Sequence, residues 1–301
     1  READPPPAGD QQQPGADGPV RPAEPQPGPG PRGGEAVHPV VGRRVEDGIW
    51  PFGLALHSVT PIMPRIRLFI DHPLVAGQPV PLDGPQAHYL TGVMRLRQGD
   101  AVLVFNGRDG EWQAHLQEAG KRGGVLTVTA PSAPQQDPPD LWLIFAPIKK
   151  ARTDFIVEKA AEMGAARIMP VQTRFTNSER IRQDRLQAHA VEAAEQCGGT
   201  FVPPVAELQP LSALLDGWDA GRRILWADES RAGPAETLSG LPRGPWAILI
   251  GPEGGFSPEE RAQLSRLPFV TPVSLGPRIL RADTAAVAAL ALWQAALGDW
   301  R

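Results

Sequence analysis

The sequence predicts an α/β protein in which a small β-rich domain precedes a larger domain built on a parallel sheet. Residues 65–129 contain short runs of alternating apolar and polar residues broken by turn residues, as antiparallel hairpins do. From residue 141 onwards, apolar strand-like runs alternate with amphipathic helical segments, a pattern typical of a parallel sheet covered on both faces. The proline-rich segment 131–140 separates the two patterns, so we expect domains at 63–130 and 141–301 with a linker between them.

Residues 1–62 differ from the rest of the chain, with 13 prolines, 10 glycines and few aliphatic side chains. A segment so poor in apolar residues cannot offset the entropy that it loses on ordering, so we expect a disordered, low-complexity tail. It also lacks the basic-then-apolar order of a secretory signal. The chain opens on Arg1, whereas Met63 directly precedes strand-like sequence. We therefore expect the working protein to start near Met63, with the upstream stretch either a tail or a misplaced start.

Composition narrows the functional class. The single cysteine, Cys197, excludes a disulfide framework and any CxxC metal site, and so favours a reducing, cytoplasmic setting with no bound metal. No apolar run approaches the roughly 20 residues that a membrane-spanning helix needs, so we expect a soluble protein with no membrane contact. The net charge is −4, and about −1 once residues 1–62 are removed, so any basic surface for nucleic acid must be local.

In the β-rich domain the expected strands are "IRLFI", "AVLVFNGRDGEWQAHL" and "GGVLTVTA", and "HYLTGVMRLRQGD" is typical of a short helix ending at a turn. The pairs Asn106-Gly107 and Asp109-Gly110 are hairpin signals. Four arginines flank the first strand and the helix end, namely Arg65, Arg67, Arg95 and Arg97. Two interpretations of these arginines stay open: a solvated surface, or a face that contacts phosphates.

In the larger domain the expected strands are "LWLIFAP", "RIMPVQT", "RILWAD", "WAILIG" and "VTPVSLG". Helices are expected at about 151–163, at about 185–197, from Pro258, and at 282–297. On the first helix, Arg152 and Lys159 fall in the same angular sector as the apolar side, which is formed by Phe155, Ile156, Ala160 and Met163. Either the long stems lie along the core with their heads in water, or this helix end lines a cleft for an anion, with Lys149 and Lys150 adding charge.

Two loop regions carry further polar residues. In "TRFTNSERIR", the residues Asn177 to Arg180 are typical of a turn, but they follow a strand at the position where α/β domains place ligands. At the end of the second helix, "EAAEQCGG", we expect Glu195 to be solvated and Gln196 to lie near the edge of the apolar stripe. Cys197 falls on that stripe, so it is expected to be a small buried hydrophobe and not a nucleophile.

The segment "LIGPEGGFSPEE" predicts a glycine turn between a buried strand and a helix. Ser257 is the expected N-cap, Pro258 the first helical residue and Glu260 the partner in a capping box. The turn has neither the Lys-Ser/Thr of a Walker loop nor the spacing of a dinucleotide fingerprint, and it carries Glu253. A neutral or cationic ligand therefore suits this turn better than a phosphate.

The last helix is preceded by "SLGPRILRADTA", in which Asp283 or Thr284 is expected to cap the helix. The helix is alanine-rich nearly all the way round, which predicts burial on every side and hence packing against a second copy of the chain. Arg281 adds a fixed positive charge beside a helix N-terminus, where backbone N–H groups already favour anions. The alternative for Arg281 is an ordinary surface ion pair.

In chain order, "EKAAEMG", "AAEQCGG", "GPEGGFSPEE" and "LGPRILRADTA" resemble the bacterial RsmE family over about residues 65–298. This family consists of 16S ribosomal RNA uridine N3-methyltransferases of the SPOUT superfamily. The resemblance implies a PUA-like N-terminal β-barrel that helps grip RNA and a C-terminal SPOUT domain with a trefoil knot, a rare exception to unthreaded chains. It also implies a homodimer that binds S-adenosylmethionine in the knot. That cofactor carries a sulfonium cation and no phosphate, which suits a glycine turn without lysine.

The resemblance also implies site residues. Those expected to contact the cofactor are Leu225, Ile250, Gly251, Pro252, Glu253, Gly254, Gly255, Leu275, Gly276, Ile279, Leu280, Arg281 and Thr284. Those expected to contact 16S rRNA are Arg65, Arg67, Arg95, Arg97, Lys149, Lys150, Arg152, Arg180 and Gln196. The chain departs from the family at Asp283, where Glu is more usual, and at Cys197-Gly198-Gly199, where Ser-Gly-Arg is common. The second departure removes a basic residue beside Gln196.

Methylation of uridine N3 requires loss of an imide proton and stabilisation of the resulting negative charge. Arg281 is the leading candidate for that stabilisation, with Lys159 next, and either water or Glu179 takes the proton. Two other functions stay open. One is a SPOUT enzyme that methylates a ribose 2′-oxygen or a guanine; the other is a non-catalytic rRNA-binding assembly factor, against which the intact glycine turn argues.

Overall fold

The computed structural model describes residues 66–120, 122–177, 181–230, 238 and 240–300. The expectations for the segment 1–62, and those for Arg65, Glu179 and Arg180, lie outside the described residues. Among the described residues, no helix combines the length and apolar character that crossing a membrane requires. In that same part of the chain, no group of three or more His, Cys, Asp or Glu side chains is arranged to hold a metal ion.

The first domain contains a five-stranded sheet with the order β1-β3-β4-β5-β2. Its elements are β1 (Arg67–Phe69), β2 (Pro79–Leu82), α1 (Gly84–His88), β3 (Ala101–Phe105), β4 (Glu111–Gly120) and β5 (Gly123–Ala133). A π-helical turn, Tyr89–Val93, extends α1. Strands β1 and β3 are parallel, while the other pairs are antiparallel. The inward-facing residues of the strands and α1 form a separate hydrophobic core that includes Leu68, Val104, Leu116 and Leu126.

The hairpin between β3 and β4 is confirmed, and its turn shows why the sequence signals it. The side-chain oxygen of Asn106 accepts hydrogen bonds from the backbone N–H groups of Arg108 and Asp109. Gly107 and Gly110 both take positive φ angles, which glycine adopts without strain. The Asp109 carboxylate accepts from the backbone of Leu74, and this hydrogen bond lowers the pKa of Asp109. The following hairpin is longer than expected, because β5 continues to Ala133 and so includes the first residues of the segment interpreted as a linker.

The second domain contains a parallel sheet of six strands with the order β11-β9-β10-β6-β7-β8. Its strands are β6 (Leu141–Phe145), β7 (Arg167–Gln172), β8 (Gln209–Pro210), β9 (Arg223–Ala227), β10 (Trp246–Ile250) and β11 (Val270–Val273). Its helices are α2 (Lys150–Glu162), α3 (Gln183–Cys197), α4 (Leu211–Asp216), α5 (Pro258–Arg266) and α6 (Ala282–Leu297). Neither β8 nor α4 is among the elements that the sequence predicts.

Both faces of the parallel sheet are covered, as the sequence predicts. Successive residues of β6 point to opposite faces, so Leu143 joins one core cluster and Ile144 the other. Helices α2, α3 and α6 cover the first face, and α4 and α5 cover the second. Because the sheet is parallel, the carboxyl ends of its strands lie at one edge, where the loops after β9, β10 and β11 emerge.

One expectation about a helix face is wrong, because Phe155 does not lie on the buried side of α2. The buried residues of α2 are Thr153, Asp154, Ile156, Val157 and Ala160, while Phe155 is 38% exposed. On α6, one face enters the core through Ala286, Ala289, Leu290 and Trp293, but the opposite side remains accessible in the single chain. The N-cap of α6 is Arg281 and not Asp283 or Thr284, and its side chain makes no capping hydrogen bond.

Candidate functional site

The glycine turn Gly251–Gly255 leaves β10 at the carboxyl edge of the parallel sheet and leads directly into α5. Within the turn, the Gly255 N–H donates to the Pro252 carbonyl at 2.9 Å. The predicted capping box is confirmed: the Ser257 hydroxyl accepts from the Glu260 N–H at 3.2 Å, and the Glu260 carboxylate accepts from the Ser257 N–H at 2.9 Å. These bonds fix the path by which the turn enters the helix.

Each of three glycines in the turn lies too close to a neighbour to accept a larger residue freely. A Cβ on Gly251 would lie 2.7 Å from the Phe256 ring, and one on Gly254 would lie 3.0 Å from the Phe175 Cβ. Gly255 combines a φ of +67° with direct contact between its Cβ position and the Glu229 carboxylate. Gly255 is therefore the residue of the turn whose backbone has a positive φ.

A pocket opens between the ends of β9 and β11. Its lining is Ala227, Asp228, Glu229, Val273, Ser274, Leu275, Gly276, Arg278, Ile279, Leu280 and Ala285. Four residues that the resemblance assigned to the cofactor are thus brought together here: Leu275, Gly276, Ile279 and Leu280. The glycine turn reaches the same pocket through Gly255, which lies against Glu229. Ile279 is 78% exposed, which is unusual for an isoleucine and leaves its side chain free to contact a ligand.

Other residues assigned to the cofactor are not in the pocket lining. Leu225 and Ile250 are buried in the core of the sheet, at 1% and 2% exposure, because their side chains face α2 and α6. The expected contact at the end of β9 covers residues near Leu225–Asp228, and the pocket is lined there by Ala227, Asp228 and Glu229, whereas Leu225 itself is in the core. Thr284 lies exposed in the first turn of α6.

Arg261 on α5 is a residue of this edge that the sequence analysis missed. Its guanidinium pairs with both acidic residues of the pocket, contacting Asp228 through Nη2 and Glu229 through Nη1 at 3.0 Å. It also lies over the Trp226 ring, 5.4 Å from the centroid. Thirty-two or more residues separate Arg261 from these partners, so no local pattern in the sequence signals the contact.

Arg152 connects three regions that the sequence analysis treated separately. Its Nη1 lies 3.8 Å from the Glu253 carboxylate in the glycine turn, and its Nε lies 3.6 Å from the Asp283 carboxylate at the start of α6. The charge of Arg152 is therefore shared between two acidic residues. This arrangement ties α2 to the glycine turn and to α6, and it leaves Arg152 less available to an RNA phosphate than expected.

Arg281 occupies the position immediately before α6, where its carbonyl accepts from the Ala285 N–H at 2.7 Å. Its side chain is exposed and forms no salt bridge with any residue that the structure describes. Lys159 is placed differently. It pairs with Glu162 at 2.6 Å and lies over the Phe155 ring, near the far end of α2. Lys159 is not among the residues that line the pocket between β9 and β11.

The residues expected to contact RNA fall into two groups. Arg95, Arg97, Lys149, Lys150 and Gln196 are exposed. Arg67 is not: only 9% of its side chain is exposed, and it pairs with Glu111 at 2.6 Å. The expectation that Arg67 contacts RNA, or lies on a solvated face, is therefore wrong, because its guanidinium is used inside the protein.

The end of α3 also differs from expectation. Cys197 is exposed, in the last turn of the helix, and lines a groove with Gly198 and Gly199. Glu195 is partly buried and accepts a hydrogen bond from the Phe69 N–H at 2.8 Å, so it is not simply solvated. Burial raises the pKa of the Glu195 carboxyl.

Comparison with known proteins connects this geometry to a family. The model of the RNA methyltransferase domain matches residues 135–294, and that of the RNA methyltransferase PUA domain matches residues 82–129. The ribosomal RNA small subunit methyltransferase E of Synechocystis sp. is 31% identical over 232 residues, covering 75% of this chain and 76% of that protein. This chain belongs to the ribosomal RNA small subunit methyltransferase E family. The resemblance to the RsmE family seen in the sequence motifs is thus confirmed.

Further relatives are matched over nearly their whole length. The Rickettsia conorii protein of that name is 29% identical, covering 75% of this chain and 93% of its own length. The Neisseria gonorrhoeae enzyme, solved bound to S-adenosylmethionine, superposes with a TM-score of 0.72 at 27% identity, covering 79% of this chain and all of that one. A Legionella pneumophila methyltransferase, also solved with the cofactor, gives 0.70 at 29% identity, covering 78% and 99%. The expected fold class, a SPOUT-type parallel-sheet domain with a PUA-like N-terminal domain, is confirmed.

Proposed function

We propose that this protein transfers a methyl group from S-adenosylmethionine to N3 of a uridine in the 16S rRNA of the small ribosomal subunit. The observation that carries the proposal is the pocket between the ends of β9 and β11, next to the glycine turn, in a chain whose relatives are named rRNA small subunit methyltransferases. Two solved relatives of the same fold hold S-adenosylmethionine.

The chemistry of the pocket suits that cofactor. Leu275, Ile279 and Leu280 provide apolar surface for an adenine ring, and Asp228 and Glu229 provide acceptors for hydroxyl or ammonium groups. The glycine turn carries Glu253 and no lysine, so it is better matched to a sulfonium than to a phosphate. When bound, the cofactor supplies an electrophilic methyl group.

Arg281 is the residue that we assign to the uracil ring. Loss of the N3 proton spreads negative charge over the two carbonyl oxygens, and a fixed cation positioned at that charge lowers the barrier. The neighbouring Arg152 is already paired with Glu253 and Asp283, whereas Arg281 has no such partner in the described part of the chain. The backbone N–H groups at the start of α6 add to the positive potential at the same point.

RNA binding is assigned to exposed basic residues on both sheets. Arg95 and Arg97 follow the α1 segment of the PUA-like domain, while Lys149 is the N-cap of α2 and Lys150 its first residue. Phosphate contacts of this kind hold the RNA in place without reading its sequence. The target uridine must leave its stack to reach the pocket, which requires least energy in a single-stranded segment.

A homodimer in the cytoplasm completes the proposal, with the cofactor held by a trefoil knot in each subunit. The accessible side of α6 includes Thr284, Leu292 and Ala295, and Leu292 is 38% exposed. After Asp283 this helix has no charged residue, so its accessible side is suited to contact with a second copy.

The test is methyl transfer from labelled S-adenosylmethionine to small subunits purified from a methylation-deficient strain, followed by mass mapping of the modified nucleotide. We expect one labelled uridine, with the methyl group on the base at N3. Label on a ribose or on guanine would assign the protein to a different SPOUT activity. Tight rRNA binding without any transfer would indicate a non-catalytic assembly factor.

A further inference from the structure

The side chain of Arg67 leaves β1 of the PUA-like domain and ends at the C-terminus of α3 in the methyltransferase domain. Its Nη1 donates to the carbonyls of Ala194 at 2.6 Å and Glu195 at 3.1 Å, and its Nη2 donates to the carbonyl of Gly199 at 2.8 Å. Its Nε donates to the Glu111 carboxylate at 2.6 Å. All three nitrogens of the guanidinium thus donate hydrogen bonds, and their acceptors belong to both domains.

The contact is reciprocal. Glu195, on α3, accepts from the backbone N–H of Phe69, which is two residues after Arg67 on the same strand. Arg67 of the PUA-like domain therefore donates to carbonyls at the end of α3, and Glu195 of α3 accepts from the backbone of β1. Nearby, the Gln136 N–H donates to the Thr200 hydroxyl at 2.8 Å, which holds the connecting segment against the residues after α3.

The residue types suit these positions. The last carbonyls of a helix have no partners within the helix and carry partial negative charge, so a cation is stabilising there. The planar fork of arginine can bond several acceptors at once, which a lysine ammonium cannot reproduce. The ring of Phe105 covers the guanidinium, with its centroid 4.5 Å from Cζ, and shields these bonds from water. We refer to Arg67, Glu111 and Glu195 as the α3 clamp.

We propose that the α3 clamp sets the orientation of the PUA-like sheet on the methyltransferase domain, and that Arg67 and Glu195 are positioning residues for rRNA methylation. This inference rests on the proposed function, in which RNA held by the first domain must present a uridine to the pocket of the second. The clamp joins β1, in one sheet, to α3, which packs on the other. Loss of its bonds lets the RNA-gripping surface shift relative to the pocket, and a displacement of about 1 Å can reduce a rate by about 100-fold.

The main test variant is Arg67→Met combined with Glu111→Gln, which removes the clamp without leaving a buried unpaired carboxylate. Glu195→Ala removes only the acceptor for the Phe69 N–H, while Glu195→Gln keeps an acceptor oxygen there. The matched control is Arg108→Ala, because Arg108 forms an ion pair with Asp71 in which both side chains are more than half exposed. Steady-state methylation of small subunits and calorimetric binding of S-adenosylmethionine are measured for each variant.

We expect the double variant and Glu195→Ala to lower kcat/KM for small subunits by at least about 10-fold while their affinity for the cofactor stays within about twofold of wild type. Glu195→Gln and Arg108→Ala should remain within about twofold in both measurements. Hydrogen exchange at the Phe69 amide should become faster in Glu195→Ala but not in Glu195→Gln or Arg108→Ala, which identifies the clamp as the cause. Wild-type kcat/KM in the double variant, or an equal loss in Arg108→Ala, would overturn the proposal.

Two controls keep the inference separate from folding and from the proposed function. If the double variant does not fold, Glu195→Ala against Glu195→Gln still decides, because they differ in one acceptor. If wild-type protein methylates nothing, the proposed function falls, and the clamp is then judged by small-angle scattering and exchange at Phe69. Unchanged scattering and exchange in Glu195→Ala would overturn it.

Discussion

Arg152, which contacts the glycine turn, and Arg281, which precedes α6, differ in how far their charge is already neutralised. Arg152 shares its guanidinium between Glu253 and Asp283, at 3.8 and 3.6 Å, and so holds the site together. Arg281 precedes α6 with an exposed side chain and no salt bridge to the described residues. A charge that appears only during the reaction is best stabilised by a cation that is not already paired, which favours Arg281 for the catalytic role.

Replacing Arg281 with alanine should reduce methyl transfer by about 10²–10³-fold, the usual loss for one donor that stabilises a developing charge. Affinity for S-adenosylmethionine should change little. Arg281→Lys should recover part of the rate, because a point charge replaces a planar fork. Single-turnover kinetics beside equilibrium binding measures both quantities, with Arg266→Ala on the exposed end of α5 as the control. A collapse in cofactor affinity with a near-normal saturating rate would make Arg281 a cofactor ligand only.

Gly255→Val should abolish cofactor binding and leave the PUA-like domain folded. Valine at this position would have to adopt a φ near +67° and would overlap the Glu229 carboxylate at the pocket. Gly254→Ala should be milder, since its Cβ meets only the Phe175 side chain. Calorimetry with S-adenosylmethionine measures whether the loss of cofactor affinity is larger in Gly255→Val than in Gly254→Ala. Gly240→Ala is the control, because no atom lies within 4 Å of the added Cβ; normal affinity in Gly255→Val would remove the turn from the site.

The partly buried carboxyl of Glu195 should make stability depend on pH. Burial raises its pKa in the folded state above the ordinary value of 4.5, an effect to which the Glu192 charge adds and which the Phe69 N–H and Arg67 oppose. A group with a raised folded pKa contributes stability at low pH that is lost as the pH rises through that pKa. Glu195→Gln should therefore gain stability relative to wild type as the pH rises from about 4.5. Urea unfolding at a series of pH values measures this, and a difference that is flat with pH would contradict it.

At the scale of the element, α6 has one side packed on the parallel sheet and another side that is accessible in the single chain. Ala286, Ala289, Leu290 and Trp293 pack on the parallel sheet, so substitutions there report on the core. Gln294 is fully buried on the same helix, and its amide donates to the Met163 carbonyl at 2.7 Å, which ties α6 to the end of α2. The accessible side, which includes Leu292, is the part available to a second copy.

The proposed homodimer should shift to monomer in the Leu292→Lys variant at micromolar concentration, and the variant should stay folded. A lysine in an apolar contact loses its hydration and has no partner, which costs several kcal/mol on the order expected for a buried charge. Sedimentation checks the mass, and circular dichroism checks the fold. Thr284→Lys at the other end of the accessible side is a companion variant. If both variants sediment as wild type does, the helix is not the interface.

At the scale of the whole molecule, the described residues form three hydrophobic cores, one in the PUA-like domain and two in the methyltransferase domain. The PUA-like sheet encloses one core, and the parallel sheet has a core on each face. The α3 clamp connects the two sheets through polar contacts between Arg67 and the end of α3. The proposed cofactor pocket lies wholly in the second domain, so cofactor binding should act first on that domain.

S-adenosylmethionine at 100 times its dissociation constant should raise the free energy of unfolding of the methyltransferase domain by about 2.7 kcal/mol. Differential scanning calorimetry should show the thermal transition of that domain moving upward with cofactor concentration. The Gly255→Val variant provides the control, since it should show no shift. An unchanged transition in wild type at saturating cofactor would argue against the pocket.

The sequence by itself determined most of the elements and the family, but not β2, β8 or α4. Alternation of side chains along "VLTVT", the glycines after Asn106 and Asp109, and the capping box at Ser257 are local patterns, because each depends on backbone geometry over a few residues. The glycine turn and the segment before α6 were likewise recognisable as motifs. Four of the cofactor residues that the resemblance assigned, Leu275, Gly276, Ile279 and Leu280, line one pocket.

Only the tertiary structure decided which polar groups meet. Arg67 is separated from Ala194 by 127 residues, and Arg261 from Glu229 by 32, so no spacing in the sequence indicates either contact. Helical periodicity assigned Cys197 to the buried apolar stripe of α3, but periodicity does not tell where the core ends, and Cys197 is exposed. Local patterns fix the direction of a side chain, whereas its partners depend on distant segments brought together by folding, and for that reason Arg67 was mistaken for a surface residue.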